Sequence, residues 1–188
     1  MYLSKVNLTR ELLGRGDHYR IHQALWSLFG TEKERCFLYR LEGGEVLMQS
    51  HLEPVMVGEG AMVKAVREYD PPIVNNQRYR FRVRVNPVKR LATPKGEKGG
   101  PRVPLIRQNE IRDWLDRQIT GATVESCTVD VQPVQVSRKG RRLMHHQVAR
   151  CDGVLSVVDT SLFREKIECG LGPAKAFGFG LISLVPIQ

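Results

Sequence analysis

Apolar residues alternate with polar ones in some stretches of the chain and recur every three or four positions in others. Alternation is typical of strands, and the longer spacing is typical of helices. Ile21 and Leu25 follow the helical spacing after Asp17, a suitable N-cap, and a Gly-Gly pair between two apolar stretches indicates a hairpin turn. In chain order, the first half is predicted to form a strand, a helix, two strands, a weak helix and a strand, over residues 2–8, 18–29, 36–41, 46–50, 58–69 and 78–85.

The strand over residues 78–85 has the clearest pattern in the sequence. Its period of two is unbroken, so one face is apolar and the other is entirely arginine. The apolar face consists of Tyr79, Phe81, Val83 and Val85, and the basic face of Arg78, Arg80, Arg82 and Arg84. We expect the apolar face to cover a core and the arginines to face away from it.

The second half repeats the same plan with a surplus of strands. Its predicted elements are strands and helices over residues 103–106, 111–119, 124–136, 143–148, 154–158, 161–169 and 181–185. The pattern predicts an α+β protein of two tandem ferredoxin-like (RRM-like, βαββαβ) domains, residues 1–87 and 102–188, joined by a linker over 88–101. The surplus predicts that the second and third strands of the second domain extend into an arm.

The positive charge is concentrated in two stretches. The chain has 29 Lys and Arg against 20 Asp and Glu, a net charge of +9. Residues 71–96 and 131–151 contain no acid and together carry +12, so the remainder carries −3. Such stretches favour a polyanion partner, since each cation that meets a phosphate releases counterions. A basic surface without a partner is the alternative.

The composition excludes several other classes of protein. With 41% hydrophobic residues the chain can form a core, and no apolar run approaches the length of a membrane span. The first residues lack a signal-peptide pattern, so a soluble cytoplasmic protein is expected. The four cysteines are widely spaced and form no C-x-x-C pair, and we expect free thiols.

Tyr19 and His22 are the candidate catalytic residues. They lie three apart on the first predicted helix, at the edge of its apolar stripe, and share a face that could line a cleft. A histidine there could act as a general acid or base and the tyrosine as an orienting group, although a structural histidine has the same spacing. His18 and His22 have a metal-ligand spacing, but the position after the first histidine is Tyr19 rather than Glu. We therefore expect no metal site and no cofactor.

A glycine-rich segment over residues 170–180 precedes the last strand. It contains Gly170, Gly172, Gly178, Gly180 and Lys175. Such glycines let a phosphate approach backbone N–H groups, and they equally suit a helix stop and turn. The spacing fits neither a Walker loop nor a dinucleotide fingerprint.

The order of these motifs resembles the CasE family, the CRISPR repeat-processing endoribonucleases of type I-E systems. The resemblance rests on Met1-Tyr2-Leu3-Ser4-Lys5-Val6, on the helix with Tyr19, His22 and Trp26, on Arg84-Val85-Asn86-Pro87-Val88-Lys89, on Arg102-Val103-Pro104-Leu105-Ile106 and on the terminal GLGPAKAFGFGLISLVP. It extends along nearly the whole chain.

The resemblance implies a concrete activity. Family members have two ferredoxin-like domains and cut the CRISPR precursor transcript at the 3′ base of each repeat hairpin. The reaction needs no metal: the ribose 2′-OH attacks the adjacent phosphate and leaves a 2′,3′-cyclic phosphate and a 5′-OH. The enzyme then stays on the hairpin within the Cascade complex. The family's catalytic His falls on His22 and its Tyr on Tyr19, and some members use a further Lys that has no clear counterpart here.

The residues expected to contact the repeat RNA come from three places. The family's basic hairpin corresponds to residues around 138–142, and the arginine strand and the glycine-rich segment supply the rest. The expected contacts are Arg138, Lys139, Arg141, Arg142, Arg78, Arg80, Arg82, Arg84, Lys89, Gly170, Gly172, Lys175, Gly178 and Gly180.

Two other functions remain open. A non-catalytic RNA-binding subunit of a CRISPR complex explains the same charge and glycines without needing His22 to react. A general single-strand RNA binder of the RRM type would present aromatic residues on the exposed sheet face, where this chain has arginines.

Overall fold

A computed structural model describes residues 1–15, 17–30, 34, 36–92 and 100–187. The elements are β1 (Tyr2–Leu8), α1 (Arg10–Arg15), α2 (His18–Trp26), β2 (Phe37–Glu42), β3 (Glu45–Ser50), β4 (Ala61–Glu68), β5 (Arg78–Val85), β6 (Val88–Arg90), β7 (Arg102–Pro104), α3 (Gln108–Gln118), β8 (Ala122–Lys139), β9 (Arg142–Val157), α4 (Thr160–Cys169) and β10 (Ile182–Pro186). Short 3-10 helices follow α2 at Ser27–Phe29 and precede β10 at Lys175–Phe177. Among these residues no helix is both long and apolar enough to cross a membrane.

The first sheet has the strand order β2-β3-β1-β4, and its paired strands are antiparallel. This is the strand order of a ferredoxin-like unit, with α2 packed on one face through Ile21 and Leu25. The predicted helix over 58–69 is wrong, because this segment contains strand β4. Ala61 and Val63 are buried while Met62 and Lys64 are exposed, which is the period of two that a strand requires.

The second sheet has the order β10-β5-β9-β8. Its chain order, β5-α3-β8-β9-α4-β10, is a complete βαββαβ unit, so the predicted pair of ferredoxin-like folds is confirmed. The arginine strand β5 was expected in the first domain, and this assignment is wrong. Its partners β9 and β10 lie far along the chain, where the local pattern carries no information about pairing. We place the domain boundary between β4 and β5.

The predicted linker over 88–101 contains strand β6, which pairs with β7 in a two-stranded ribbon. Residues 93–99 of that stretch lie outside the described residues. The predicted strand at 103–106 corresponds to β7, which begins one residue earlier and has only three residues. This strand pairs with β6 in the ribbon and belongs to neither main sheet.

The extended arm predicted in the second domain is confirmed. Strands β8 and β9 have 18 and 16 residues and pair almost throughout, up to Lys139 opposite Arg142. The separate strands predicted over 143–148 and 154–158 are one continuous strand. A bulge between Gln132 and Gln135, around Pro133, bends the hairpin before its basic end.

Buried polar contacts join the two units. The Arg40 guanidinium, only 5% exposed, donates to the Leu181 carbonyl (3.2 Å) and the Ser183 hydroxyl (2.9 Å) on the β10 side of the second sheet. The Gln49 amide donates to the Ile167 carbonyl of α4 at 2.8 Å. These contacts place α2 of the first unit beside the glycine-rich segment and the arm of the second.

Candidate functional site

Helix α2 begins at a side-chain cap and presents both candidate catalytic residues near its start. The Asp17 carboxylate accepts a hydrogen bond from the Tyr19 backbone N–H at 3.0 Å. Ile21 and Leu25 are fully buried in the first core, which fixes the rotation of the helix. Tyr19 and His22 are consequently half-buried at the edge of the buried stripe, as predicted.

The His22 imidazole packs against aromatic rings on its inner side. Its ring centroid lies 5.3 Å from that of Trp26, edge-on, and 5.3 Å from that of Phe37. Trp26 and Phe37 also contact each other, at 5.7 Å. This cluster restricts the orientation of the imidazole, which a proton donor or acceptor needs and which a purely structural histidine would share.

The first residue of α2 is tied to the glycine-rich segment through Tyr39 of β2. The Tyr39 hydroxyl lies 3.1 Å from the His18 carbonyl oxygen and 3.3 Å from the Ala176 carbonyl oxygen, and it can donate to either. Burial raises the pKa of Tyr39, so the phenol keeps its proton. Sequence reasoning missed this contact, because nothing in an apolar strand indicates which distant backbone a tyrosine will reach.

Two histidine side chains lie near this contact. Burial, with a smaller contribution from the Arg84 charge, lowers the pKa of His18 to about 4, so its imidazole is neutral at pH 7. Burial also lowers the pKa of His146, whose ring lies 4.5 Å from that of Phe177. Both histidines therefore act as neutral packing groups beside the site.

The basic arm lies directly against α2. A groove of about 380 Å³ is lined by Asp17 and Arg20 from the helix side and by Val136, Ser137, Arg138 and Leu143 from the arm. Arg138, Arg141 and Arg142 are exposed, while the Lys139 side chain lies outside the described part of the structure. The structure thus brings together two features that the sequence places more than 100 residues apart.

The arginines of β5 differ in their surroundings. The guanidinium of Arg78 pairs with Glu125 at 2.6 Å and that of Arg82 with Asp152 at 2.5 Å, while Arg80 is exposed and lines a groove beside them. The acid-free stretch is therefore neutralised in part by acids on β8 and β9. Counting charges along the sequence cannot detect such cross-strand partners. The unpaired positive charge on β5 is therefore smaller than the sequence predicts.

Arg84 is half-buried, unlike the exposed Arg78, Arg80 and Arg82 of the same strand. Its guanidinium lies 4.5 Å above the Phe179 ring and donates to Gln135 at 2.8 Å, and the Gln135 amide donates to the Phe177 carbonyl. Burial lowers the pKa of Arg84 to about 10, which leaves it charged at pH 7. Arg84 holds the glycine-rich segment against β8, and its contact with RNA stays a prediction. Lys89 pairs with Glu110 at 3.3 Å.

The glycines of the 170–180 segment permit close packing. Gly180 has a φ of +89°, and a Cβ atom there would lie 2.6 Å from the Leu171 carbonyl oxygen. A Cβ on Gly172 would lie 2.7 Å from the Trp114 ring. The amides of Gly170, Gly178 and Gly180 already donate to backbone carbonyls. Packing therefore explains these glycines, and their predicted role in holding a phosphate stays a prediction.

Comparison with known proteins identifies the family. A model of the CRISPR associated protein family matches residues 1–186, and the Cascade subunit CasE of Escherichia coli K12 is 34% identical over the full length of both chains. The chain belongs to this CRISPR-associated family. The resemblance to CasE proteins inferred from the motifs is confirmed.

The chain is also similar to a protein of Thermus thermophilus, both in sequence and in structure. Its CRISPR-associated endoribonuclease Cse3 is 29% identical over 90% of this chain and 88% of its own length. A solved structure of Cse3 bound to an RNA representing a pre-cleavage complex superposes with a TM-score of 0.81, at 30% identity and 98% coverage of each chain. The two-sheet architecture is thus shared with an RNA-bound relative.

Proposed function

We propose that the protein is an endoribonuclease that cuts CRISPR precursor RNA at the 3′ base of each repeat hairpin and stays on the mature guide RNA within Cascade. The observation that carries this proposal is the contact between α2, with Tyr19 and His22, and the basic end of the β8–β9 arm. An RNA duplex held by the arm would present its base to the helix. The names of the relatives, a Cascade subunit and an endoribonuclease, support the same activity.

The proposed reaction uses the RNA as its own nucleophile. The ribose 2′-oxygen attacks the adjacent phosphorus, the bond from phosphorus to the 5′-oxygen breaks, and a 2′,3′-cyclic phosphate and a 5′-OH result. In-line attack requires these three atoms to be nearly collinear, so positioning supplies much of the acceleration. His22 would give a proton to the leaving oxygen or take one from the 2′-OH, and Tyr19 would orient the ribose or phosphate.

Charge on the phosphorane-like transition state would be stabilised by side chains of the groove, where Arg20 and Arg138 lie. Metal independence is part of the proposal, because every proton and charge in these steps has a protein or RNA group to carry it. Within the described residues no group of three or more His, Cys, Asp or Glu side chains could hold an ion.

The test uses end-labelled repeat RNA in excess EDTA. We expect full cleavage with 2′,3′-cyclic phosphate and 5′-OH ends. A matched RNA with a single 2′-deoxy residue just upstream of the scissile phosphate should bind normally and stay uncut, because one hydroxyl is a small part of a charge-dominated interface. Cleavage of the deoxy RNA would require a water or side-chain nucleophile. Activity lost to chelator and restored by Mg²⁺ would overturn the metal-free reaction.

The same experiment distinguishes the endoribonuclease from the second candidate function, a non-catalytic RNA-binding subunit. The aromatic packing of His22 is the observation that favours it, since that packing suits a structural residue as well. Tight binding of the repeat hairpin without any cleavage would support this alternative.

A further inference from the structure

A second basic groove lies beside the glycine-rich segment and shares no lining residue with the groove at the arm. It has a volume of about 380 Å³ and lies between the β6–β7 ribbon, the end of α3 and the end of α4. Its cations are Arg90, Arg102, Lys166 and Lys175, and none of its described lining residues is acidic. Of these four, only Lys175 belongs to the RNA contacts expected from the sequence.

The strongest observation is the pairing of two arginines. Arg90 and Arg102 stand directly opposite each other in the β6–β7 register, and both are exposed. Like charges at opposite positions of an antiparallel pair destabilise the ribbon. Among the described residues neither has an ion pair or a side-chain hydrogen bond, in contrast to Lys89, the residue before Arg90, which reaches Glu110 at 3.3 Å. An anion between the two guanidinium groups would remove this repulsion.

The other two cations of the groove, Lys166 and Lys175, enlarge the same positively charged surface. Lys166 lies in the last turn of α4, where the exposed helix carbonyls favour a cation in any case. Lys175 begins the short helix of the glycine-rich segment. The two arginines therefore carry the argument, and the lysines define the length of the groove.

The groove offers charge without a surface for base stacking. Trp114 lines it but is only 4% exposed, and Gly172 covers its ring. Recognition would thus be directed to the sugar–phosphate backbone and would be insensitive to sequence. A space of this volume takes a group the size of one nucleotide, so it suits a single strand rather than a duplex.

The groove is connected to the candidate catalytic helix through the glycine-rich segment. Gly170, Gly172 and Lys175 line the groove, and Ala176 next to them lies within hydrogen-bond reach of the Tyr39 hydroxyl. That hydroxyl also reaches the carbonyl of His18, the first residue of α2. A strand in the groove would therefore be separated from α2 only by the glycine-rich segment and Tyr39.

We propose that this groove, formed by Arg90, Arg102, Lys166 and Lys175, binds the phosphates of single-stranded RNA flanking the repeat hairpin. The proposal rests on the proposed function, because it assigns a second contact to the same substrate. The arm holds the duplex, and the groove holds the flank by charge alone.

The test compares a triple variant, Arg90→Gln, Arg102→Gln and Lys166→Gln, with a matched triple variant of exposed cations elsewhere, Lys5→Gln, Arg67→Gln and Arg107→Gln. Each removes three charges. The probes are the 2′-deoxy repeat hairpin alone and the same hairpin with a ten-nucleotide oligo-uridine or oligo-cytidine extension on its 5′ or its 3′ side.

For the wild type and the matched variant, we expect one of the two extension sides to tighten binding about tenfold at low salt, equally for both base compositions. The groove variant should lose that gain while binding the bare hairpin as the matched variant does. Its slope of log affinity against log salt should be shallower by about 0.7 to 1.4, which corresponds to one or two single-strand phosphate contacts at roughly 0.7 each.

Three results would overturn the inference. The first is that neither extension tightens binding by the wild type, and the second is that an extension tightens binding by the groove variant just as much. The third is that the groove variant loses as much affinity for the bare hairpin as for the extended one, which would assign the groove to the duplex. Cleavage of the ribose hairpin by the wild type is measured in parallel, so failure of the proposed function appears there as an uncut hairpin.

Discussion

At the scale of single residues, spacing alone is enough to predict His22 and Tyr19 as candidates, but it does not predict the side chains around them. The edge of the apolar stripe can be counted from the sequence, because Ile21 and Leu25 define it. The rings of Trp26 and Phe37 that pack on His22 depend partly on β2, a separate element. The burial of Arg40 was also hidden, since it is the polar residue of an apolar strand and its partners Leu181 and Ser183 belong to the other unit.

Replacing His22 tests whether the imidazole carries a proton. His22→Ala should lower the single-turnover cleavage rate by roughly 10² to 10⁴, the usual cost of losing a general acid or base. Hairpin affinity should change little, because one imidazole is a small part of an interface dominated by arginine and lysine charge. Tyr19→Phe should cost less, since it removes an orienting group rather than the proton carrier. Rates are measured with enzyme in excess over labelled repeat RNA.

The control for His22 is His145→Ala, an exposed histidine on β9 beside the basic end of the arm. It should cleave at the wild-type rate. Near wild-type cleavage by His22→Ala, with circular dichroism showing the same fold, would leave His22 as a structural residue of the aromatic cluster.

At the scale of elements, local patterns predicted most helices and strands. They failed where the pairing between strands determines the sheet to which a segment belongs. Residues 2–8, α3, α4 and the β2–β3 hairpin follow from periodicity and turn residues alone. Strand β4 was misassigned because its alternation is short, and β5 was placed in the wrong sheet. The acids Glu125 and Asp152 that pair with β5 arginines lie 47 and 70 residues away in the chain.

The basic arm should carry affinity rather than rate. Changing Arg138, Lys139, Arg141 and Arg142 together to Ala should weaken binding of the repeat hairpin and flatten its salt dependence. The log–log slope should fall by roughly 0.9 for each duplex phosphate that the variant no longer neutralises. Filter binding or fluorescence anisotropy at several salt concentrations measures both quantities.

The comparison variant for the arm removes four exposed cations elsewhere, Lys5, Arg67, Arg107 and Arg117, so the net charge changes equally. Its affinity should fall much less. An arm variant indistinguishable from this control would move the duplex contact to another surface, with the exposed side of β5 as the first candidate.

At the scale of the whole molecule, the site exists only because the two units are held together. Helix α2 and Tyr39 belong to the first unit, and the arm, the glycine-rich segment and the second groove belong to the second. Sequence reasoning predicted two units of the right fold but contained no information about their contact. Arg40 and Gln49, which make that contact, lie in strands whose patterns gave no reason to single them out.

Arg40→Ala tests how strongly the units depend on this contact. The change leaves the buried Leu181 carbonyl and the Ser183 hydroxyl without their donor, and each such loss costs about 1–3 kcal/mol. We expect a free energy of unfolding lower by about 3 kcal/mol and, for a chain of this size, a Tm lower by roughly 6–12 °C, measured by thermal and denaturant unfolding. The exposed Arg80→Ala on the neighbouring strand β5 is the control and should change stability by about 0.5 kcal/mol or less. Equal stabilities of the two variants would mean that the guanidinium of Arg40 is dispensable and that other contacts hold α2 against the arm.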